Sequence, residues 1–438
     1  MSVVTLIAFE ALAVSTAMPV VAHALDGVRE YGLAFSLFLT MLLLGVVIAG
    51  SWSDARGPAG PVWAGLVLFG SGLMVCGLAP SFPVLLLGRA LAGAGGGLLV
   101  VALYVVVALV FPRAEQPRIF GYVSAAWVLP SLVGPAVAGW LAAEVSWRAV
   151  FLLVPPLVVA LATVLLPRLR RLPPRPGTEE GGQPAVDRRR VLRGVGLACG
   201  VVVLQVGLQG AGSAPGPAVA AAGALVTAVS LPGLLPRGTL RLARGLPTVV
   251  ALRGMYAASF FGCETFVPLM LVTQRHLAPA IAGLTLTGGA VGWATGSWLQ
   301  GRTWFRVPRH LLLAAGGLIV GVCMWVFTLL TLPWVPVYAG HVIWTVAGLG
   351  MGLAMSSTSV LVLRLSTPGE EGRNSAGLQI SDALGSVLGI GAAGALFAAL
   401  HDPAGSDAEV FRLIWAGLGV VGVLSAMVAL RAPVRAAA

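Results

Sequence analysis

Polar and apolar residues do not alternate along this chain. Apolar residues run together for about twenty positions at a time, and the polar ones collect in the gaps between runs. A bilayer core about 30 Å thick takes roughly 20 residues of helix, so each run predicts one membrane-crossing helix. The predicted spans cover residues 3–25, 31–53, 60–79, 82–111, 118–142, 147–167, 191–210, 214–236, 247–273, 278–300, 309–331, 334–363, 375–400 and 408–430. That makes fourteen, separated by Pro/Gly or charged turns, as helix ends require.

Composition supports the same class. The chain has 438 residues, of which 58% are hydrophobic and only 10% charged, against roughly 25% charged in a soluble domain. An all-α integral membrane protein is expected, surrounded by lipid.

Charge orients the spans. All 27 basic residues are arginine. With the N-terminus inside, the inner segments hold Arg56, Arg113, Arg118, eight arginines from Arg168 to Arg193, Arg237, Arg241, Arg244, Arg302, Arg306, Arg309, Arg364, Arg373, Arg431 and Arg435, 21 in all. The outer turns hold four: Arg29, Arg148, Arg275 and Arg412. Such a bias is the signature of cytoplasmic turns, and it sets both termini in the cytoplasm of a plasma-membrane protein. It also accounts for the net charge of +11 without a nucleic-acid partner. Residues 168–190, RLRRLPPRPGTEEGGQPAVDRRR, read as a flexible cytoplasmic linker. Ala22-His23-Ala24 mimics a signal-peptidase site, but Glu10 interrupts the apolar core and no basic region precedes it, so the first span is expected to be retained. The four cysteines fall in apolar runs and are expected to be buried, with no metal site.

The chain also repeats itself. Gly50-Ser51-Trp52 closes the second span and Gly296-Ser297-Trp298 closes the tenth, each followed by a short basic turn. An acid stands in the span before each, Glu10 and Glu264. These tags predict two equivalent six-helix bundles, residues 1–167 and 247–431, joined through the linker and two additional spans at 191–236. Transporters are often built from such repeats around a central site.

Four stretches carry a family resemblance. GSWSDARG, Gly50 to Gly57, is similar to the G-x-x-x-D-[RK]-x-G-[RK]-[RK] turn of the major facilitator superfamily. Ala55, Pro58 and Ala59 depart from it, and Gln300 takes the Asp54 position in the second copy. RALAG, Arg89 to Gly93, resembles the family's R-x-x-Q-G without its Gln. Gly121, Pro130, Gly134, Pro135, Ala138 and Gly139 follow the spacing of the fifth-helix motif associated with antiporters, with Pro130 and Ala138 where Gly is usual. EALAVSTAMP, Glu10 to Pro19, is similar to D-x-T-I-V-N-V-A-L-P, with Glu for Asp and Ser15 for Asn. The chain thus resembles a fourteen-helix drug:proton antiporter of that superfamily.

The resemblance implies roles. Gly50, Asp54, Arg56 and Gly57 would form a latch on conformational change, weakened by the departures, and its second copy would lose its charge contact at Gln300. Glu10, Glu264, Asp382 and Arg89 would line the substrate and proton-coupling cavity. These three acids are the ones well inside apolar spans. A carboxylate is expensive there, so each is expected to be a group that can hold a proton. Asp382, about seven residues into its span, is near enough to the inner end to reach water. Read as unpaired, these acids favour exchange of protons for small hydrophobic or cationic compounds, with no cofactor beyond the proton gradient and a monomer as the working unit.

Other features read as packing. Gly93–Gly97, GAGGG, tempts a dinucleotide-fold reading but lies inside a span with no strand before it; glycines four apart suit helix contact. His341 reads as a packed hydrogen-bonding residue, and Gln205 and Gln209 as a helix–helix contact. A solute importer of the same fold and a transport-dead sensor or scaffold are the alternatives. No nucleophile–base pair suggests an enzyme, and no G-x-x-x-x-G-K-[ST] loop suggests an ATP-driven pump.

Overall fold

The computed structural model describes residues 2–112, 128–169, 188–210, 215–302, 307–367, 370–403 and 405–432, with isolated positions at 115, 119, 126 and 304. Every regular element among them is helical. In chain order these are α1 Ser2–Ala24, α2 Tyr31–Arg56, α3 Ala59–Leu78, α4 Phe82–Val110, α5 Val128–Trp140, α6 Trp147–Leu152, α7 Val154–Leu169, α8 Arg188–Gln209 and α9 Gly216–Ser230. There follow α10 Leu246–Glu264, α11 Val267–Thr273, α12 Pro279–Leu299, α13 Arg309–Phe327, α14 Tyr338–Leu365, α15 Glu371–Leu400 and α16 Ala408–Ala429.

Local chemistry sets the ends and the breaks. Pro83, Pro217, Pro247 and Pro268 stand at helix starts, where a missing N–H costs nothing. Gly57 ends α2 at φ +78°, its N–H bonded to Ser53 O at 2.9 Å, a conformation that suits glycine. Two predicted spans are interrupted for one reason. Pro155 and Pro156 open α7 and leave the end of α6 without its next donors, and Pro268 withholds the N–H that would bond the Glu264 carbonyl. Each interrupted pair still reads as one crossing.

Among the described residues twelve helical segments are long and apolar enough to cross a membrane. Helix α12 has the length, 21 residues, but its glycines, threonines and tryptophans lower its hydropathy. Residues 129–145, α5 with the π-turn Leu141–Val145 that continues it, are apolar but short. The start of that predicted span lies mostly outside the described residues. Outward faces carry Trp63, Leu78, Val159, Leu225 and Val229, each more than half exposed. So much bare apolar surface suits lipid and not water. The chain is a multi-pass membrane protein.

The chain divides into two compact units, Met1–Val202 and Val203–Ala438. In the first, α1 packs on α5, α4 on both α2 and α3, and α3 on α6 and α7. The α2–α4 seam is closed by glycine: a Cβ on Gly93 would stand 2.1 Å from Phe38 O, and one on Gly97 2.0 Å from Leu42 O. The GAGGG run is therefore a packing surface, as its spacing predicts. In the second unit α10 packs on α15, α14 on both α12 and α13, and α13 on α16. Its α12–α14 seam is equally tight, with a Cβ on Gly292 falling 1.9 Å from Thr345 O. Gln205 donates to Val387 O at 3.3 Å, a helix–helix contact as expected. Cysteines 76, 263 and 323 are buried, but Cys199 is exposed, correcting the sequence expectation. It lies on an outward face of α8, which apolar character alone does not distinguish from a buried one.

Candidate functional site

Apart from Glu264, the described charged residues well inside the helices form one cluster in each unit. In the first unit Arg89, Gly93 and Gly97 share a face of α4, four residues apart. The glycine seam draws α2 against that face just beyond the arginine. Arg89 Nε accordingly donates to Ala34 O at 2.9 Å, and its guanidinium carbon lies 4.2 Å over the Phe38 ring. Its Nη1 donates to Glu10 Oε1 from α1. The two side chains are 3 and 1% exposed. The other oxygen, Glu10 Oε2, is buried with no hydrogen-bond partner among the described residues.

Helix α5 backs this cluster. Pro130, Gly134, Pro135, Ala138 and Gly139 are all buried, along the face that meets α1. A Cβ on Gly134 would lie 3.7 Å from Phe9 and 3.8 Å from Leu12, on either side of Glu10 in sequence. The antiporter-like spacing thus supports the helix that carries the acid. Gly121 lies outside the described residues.

In the second unit the order along the chain is reversed, the arginine preceding the acid. Arg253 of α10 donates through Nε to Asp382 Oδ1 of α15 at 2.9 Å. Its Nη1 reaches Met355 O at 3.0 Å, Thr358 Oγ1 at 3.2 Å and Ser359 Oγ at 3.3 Å, all on α14. The side chains are 13 and 26% exposed, so this pair is wetter than the first. Two of the three intramembrane acids are therefore ion-paired, which corrects the reading of them as unpaired. A charge in such a setting needs a neutralising partner, and the fold supplies one for each.

Glu264 has none: among the described residues no hydrogen bond or ion pair reaches its side chain. It is half-buried, the last residue of α10 at the break before Pro268. One turn back is Phe261, also half-buried, whose ring lies 6.0 Å from that of Trp293.

The latch residues divide. Gly50 lies in α2, and a Cβ there would meet nothing within 4 Å. Arg56 is exposed at the end of α2, Gly57 makes the turn, and the Asp54 side chain is outside what the structure describes. The second copy is better built than its sequence suggests. Gln300 Oε1 accepts from Arg309 Nη1 and, at 2.9 Å, from Ser357 Oγ. Its Nε2 donates to Gly352 O at 3.1 Å and Leu353 O at 3.0 Å. No carboxylate meets the arginine here, in keeping with the expectation for Gln300, but a hydrogen-bonded contact replaces it: a neutral amide accepts from the arginine while donating to carbonyls that a carboxylate would repel.

Two residues of consequence escaped the sequence reading. Arg253 carries the same signal as Arg89, an arginine inside an apolar span, and could have been found by it. The role of Gln300 left no signal, because it depends on carbonyls of a distant helix.

Paired charges held within membrane-crossing helices, with one acid unpaired among the described residues, mark a polytopic helical membrane protein. Residues 1–344 match the Major Facilitator Superfamily, and the chain belongs to that family of membrane transporters. It is similar to an uncharacterized MFS-type transporter of Mycobacterium tuberculosis, 27% identical over 410 residues, covering 90% of this chain and 59% of that one. The chain thus spans about three fifths of that relative's length. A probable multidrug-efflux transporter of the same organism is also 27% identical, over 81% of this chain and 78% of that one. Among solved structures it is similar to a POT family transporter in complex with 5-aminolevulinic acid, with TM-score 0.72 and 14% identity over 98% of this chain and 94% of that one. A bacterial homolog to the human lysosomal transporter Spinster matches with TM-score 0.63 and 16% identity, over 98 and 92% of the two chains. At such identities these structures establish the fold alone.

Proposed function

We propose that this protein is a proton-coupled exporter of small hydrophobic or cationic compounds, and that Glu264 is the carboxylate at which proton and substrate compete. The observation that carries the reading is its setting: a half-buried acid with no partner among the described residues, one helical turn from Phe261, whose ring meets that of Trp293. A carboxylate beside aromatic faces attracts an organic cation through charge and through the ring quadrupole. The same carboxylate is held neutral by a proton when the cation leaves. Exclusive occupancy by one or the other is what exchange requires.

Glu10 and Asp382 enter differently. Each is already neutralised by an arginine, so protonating either would release a guanidinium and not a vacant carboxylate. Around them we place fourteen spans in two six-helix bundles, residues 1–167 and 247–431. The linker 168–190 and two added spans at 191–236 lie between. Both termini lie in the cytoplasm of a plasma-membrane monomer that needs no cofactor beyond the proton gradient. The efflux relative supports the direction of transport. The latch at Gly50, Asp54, Arg56 and Gly57 keeps the weakened role its sequence implies.

The test is reconstitution in vesicles with an imposed pH gradient and a fluorescent lipophilic cation. Wild-type protein should concentrate the dye against its gradient only when protons run the other way. Glu264→Gln should abolish that accumulation while dye still binds and equilibrates. Dye movement in the same direction as protons would establish the importer, and unaltered pumping by the variant would remove Glu264 from the mechanism.

A further inference from the structure

The turn after the second Gly-Ser-Trp copy gathers arginines from three helices. Arg302 follows α12, Arg309 opens α13, and Arg364 lies in the last turn of α14. The Arg302 guanidinium carbon lies 3.9 Å over the Trp298 ring, a contact that fixes its plane. Arg309 is held on Gln300 Oε1, which also accepts from Ser357 Oγ, and Arg364 lies two turns on from Ser357 along the same face of α14.

Among the described residues no acid balances them. None of the salt bridges among the described residues involves these three arginines. Other turns on the arginine-rich side do carry acids. Arg373 is bonded to Glu370 at 2.5 Å, and Asp54 stands two residues before Arg56. Where the first copy has Asp54 the second has a neutral glutamine, so the cluster keeps its full positive charge.

Beside the charge lies an apolar track. Ile281, Leu284, Val291 and Trp298 are 45, 43, 46 and 53% exposed. Leu284, Val291 and Trp298 recur every seven residues on one face of α12. The track runs about 25 Å from Ile281 to Trp298 and ends at the arginines. Trp304, 67% exposed, adds a second indole of the kind that settles at headgroup level.

We propose that this turn binds an anionic phospholipid, its headgroup phosphate on Arg302, Arg309 and Arg364 and one acyl chain along the exposed face of α12. A lone inorganic anion would use the arginines but not the track. A zwitterionic lipid would use the track but bring its own cation to a site that already has three. Only an anionic amphiphile matches both parts. The proposal does not depend on the transported substrate.

Native mass spectrometry of the full-length protein, released from micelles containing phosphatidylglycerol and phosphatidylcholine in equal amounts, tests it. Phosphatidylglycerol should be retained in preference. Arg302→Gln and Arg364→Gln, at exposed positions where folding is not at stake, should each weaken retention about fivefold, as expected for one arginine at a lipid surface. Arg244→Gln, exposed in another turn, should leave it unchanged. Equal retention of the two lipids, or an equal loss in all three variants, would overturn a specific site. Displacement of the lipid by inorganic phosphate alone would make it an anion site instead.

Discussion

Glu10 and Arg89, 79 positions apart in the chain, neutralise each other where neither is more than 3% exposed. Breaking a buried pair from one side leaves an uncompensated charge and costs about 3–5 kcal/mol. The two sides differ here, because a glutamate stranded without its arginine can take up a proton while a stranded arginine cannot lose one. Glu10→Gln should therefore lower the thermal unfolding temperature in detergent more than Arg89→Gln does. The double variant should recover part of the loss. Equal losses in the two single variants would mean that the pair does not govern this site.

The second pair should behave otherwise. Arg253 forks between Asp382 and three acceptors on α14, and both side chains are partly exposed. Arg253→Lys keeps the charge but reaches only part of that set. Its unfolding temperature should stay near that of wild type, since a wetter pair contributes at most about 1 kcal/mol. Transport should fall at least tenfold if the fork aligns α10, α14 and α15. A large loss of stability with transport intact would reverse the assignment.

Glycines at equivalent tags should differ in tolerance. A Cβ on Gly296 would stand 2.4 Å from Leu349 O, whereas one on Gly50 meets nothing within 4 Å. Gly296→Ala should force α12 and α14 apart and destabilise by about 1–3 kcal/mol. Gly50→Ala should stabilise α2 by up to about 1 kcal/mol through helix propensity. Paired melting curves read both.

Topology has its own test. Single cysteines at Gly181 and Ser406 should label oppositely with an impermeant reagent, Ser406 alone reacting from outside intact cells. Cys199 is exposed in this fold, so it must first be replaced by serine. Equal labelling at the two positions would sink the fourteen-span map.

Hydropathy gave depth along the chain but not direction around each helix. In a soluble protein the polar face marks the outside; here lipid-facing and core-facing surfaces are both apolar, and Cys199 was misplaced for that reason. Glycine spacing carried directional information, because only close backbone approach demands it, and the GAGGG seam was legible. Glu10 and Arg89 were each conspicuous, being costly where they are. That they meet was not, since nothing in one sequence ties residue 10 to residue 89. The breaks at Pro155 and Pro268 were visible as prolines, yet apolar runs carried the spans through them.

Three of the four arginines that the charge bias assigns to the outer turns are occupied. Arg148 Nη1 binds Ala79 O at 2.9 Å, Arg275 binds Leu330 O, Leu332 O and Val335 O at 2.6 to 3.1 Å, and Arg412 Nε reaches Thr331 Oγ1 at 2.6 Å. Helix carboxyl ends carry partial negative charge, so Arg148 and Arg275 have a counter-charge in the fold, while Arg412 has a hydroxyl acceptor. The consequence falls on biogenesis. An arginine bound for the far side crosses the bilayer during synthesis before its acceptors are in reach, and only docking of the later helix onto the earlier one compensates it. Insertion of the sixth and fourteenth spans is then reversible until each docks on the third or the eleventh, which are made before them.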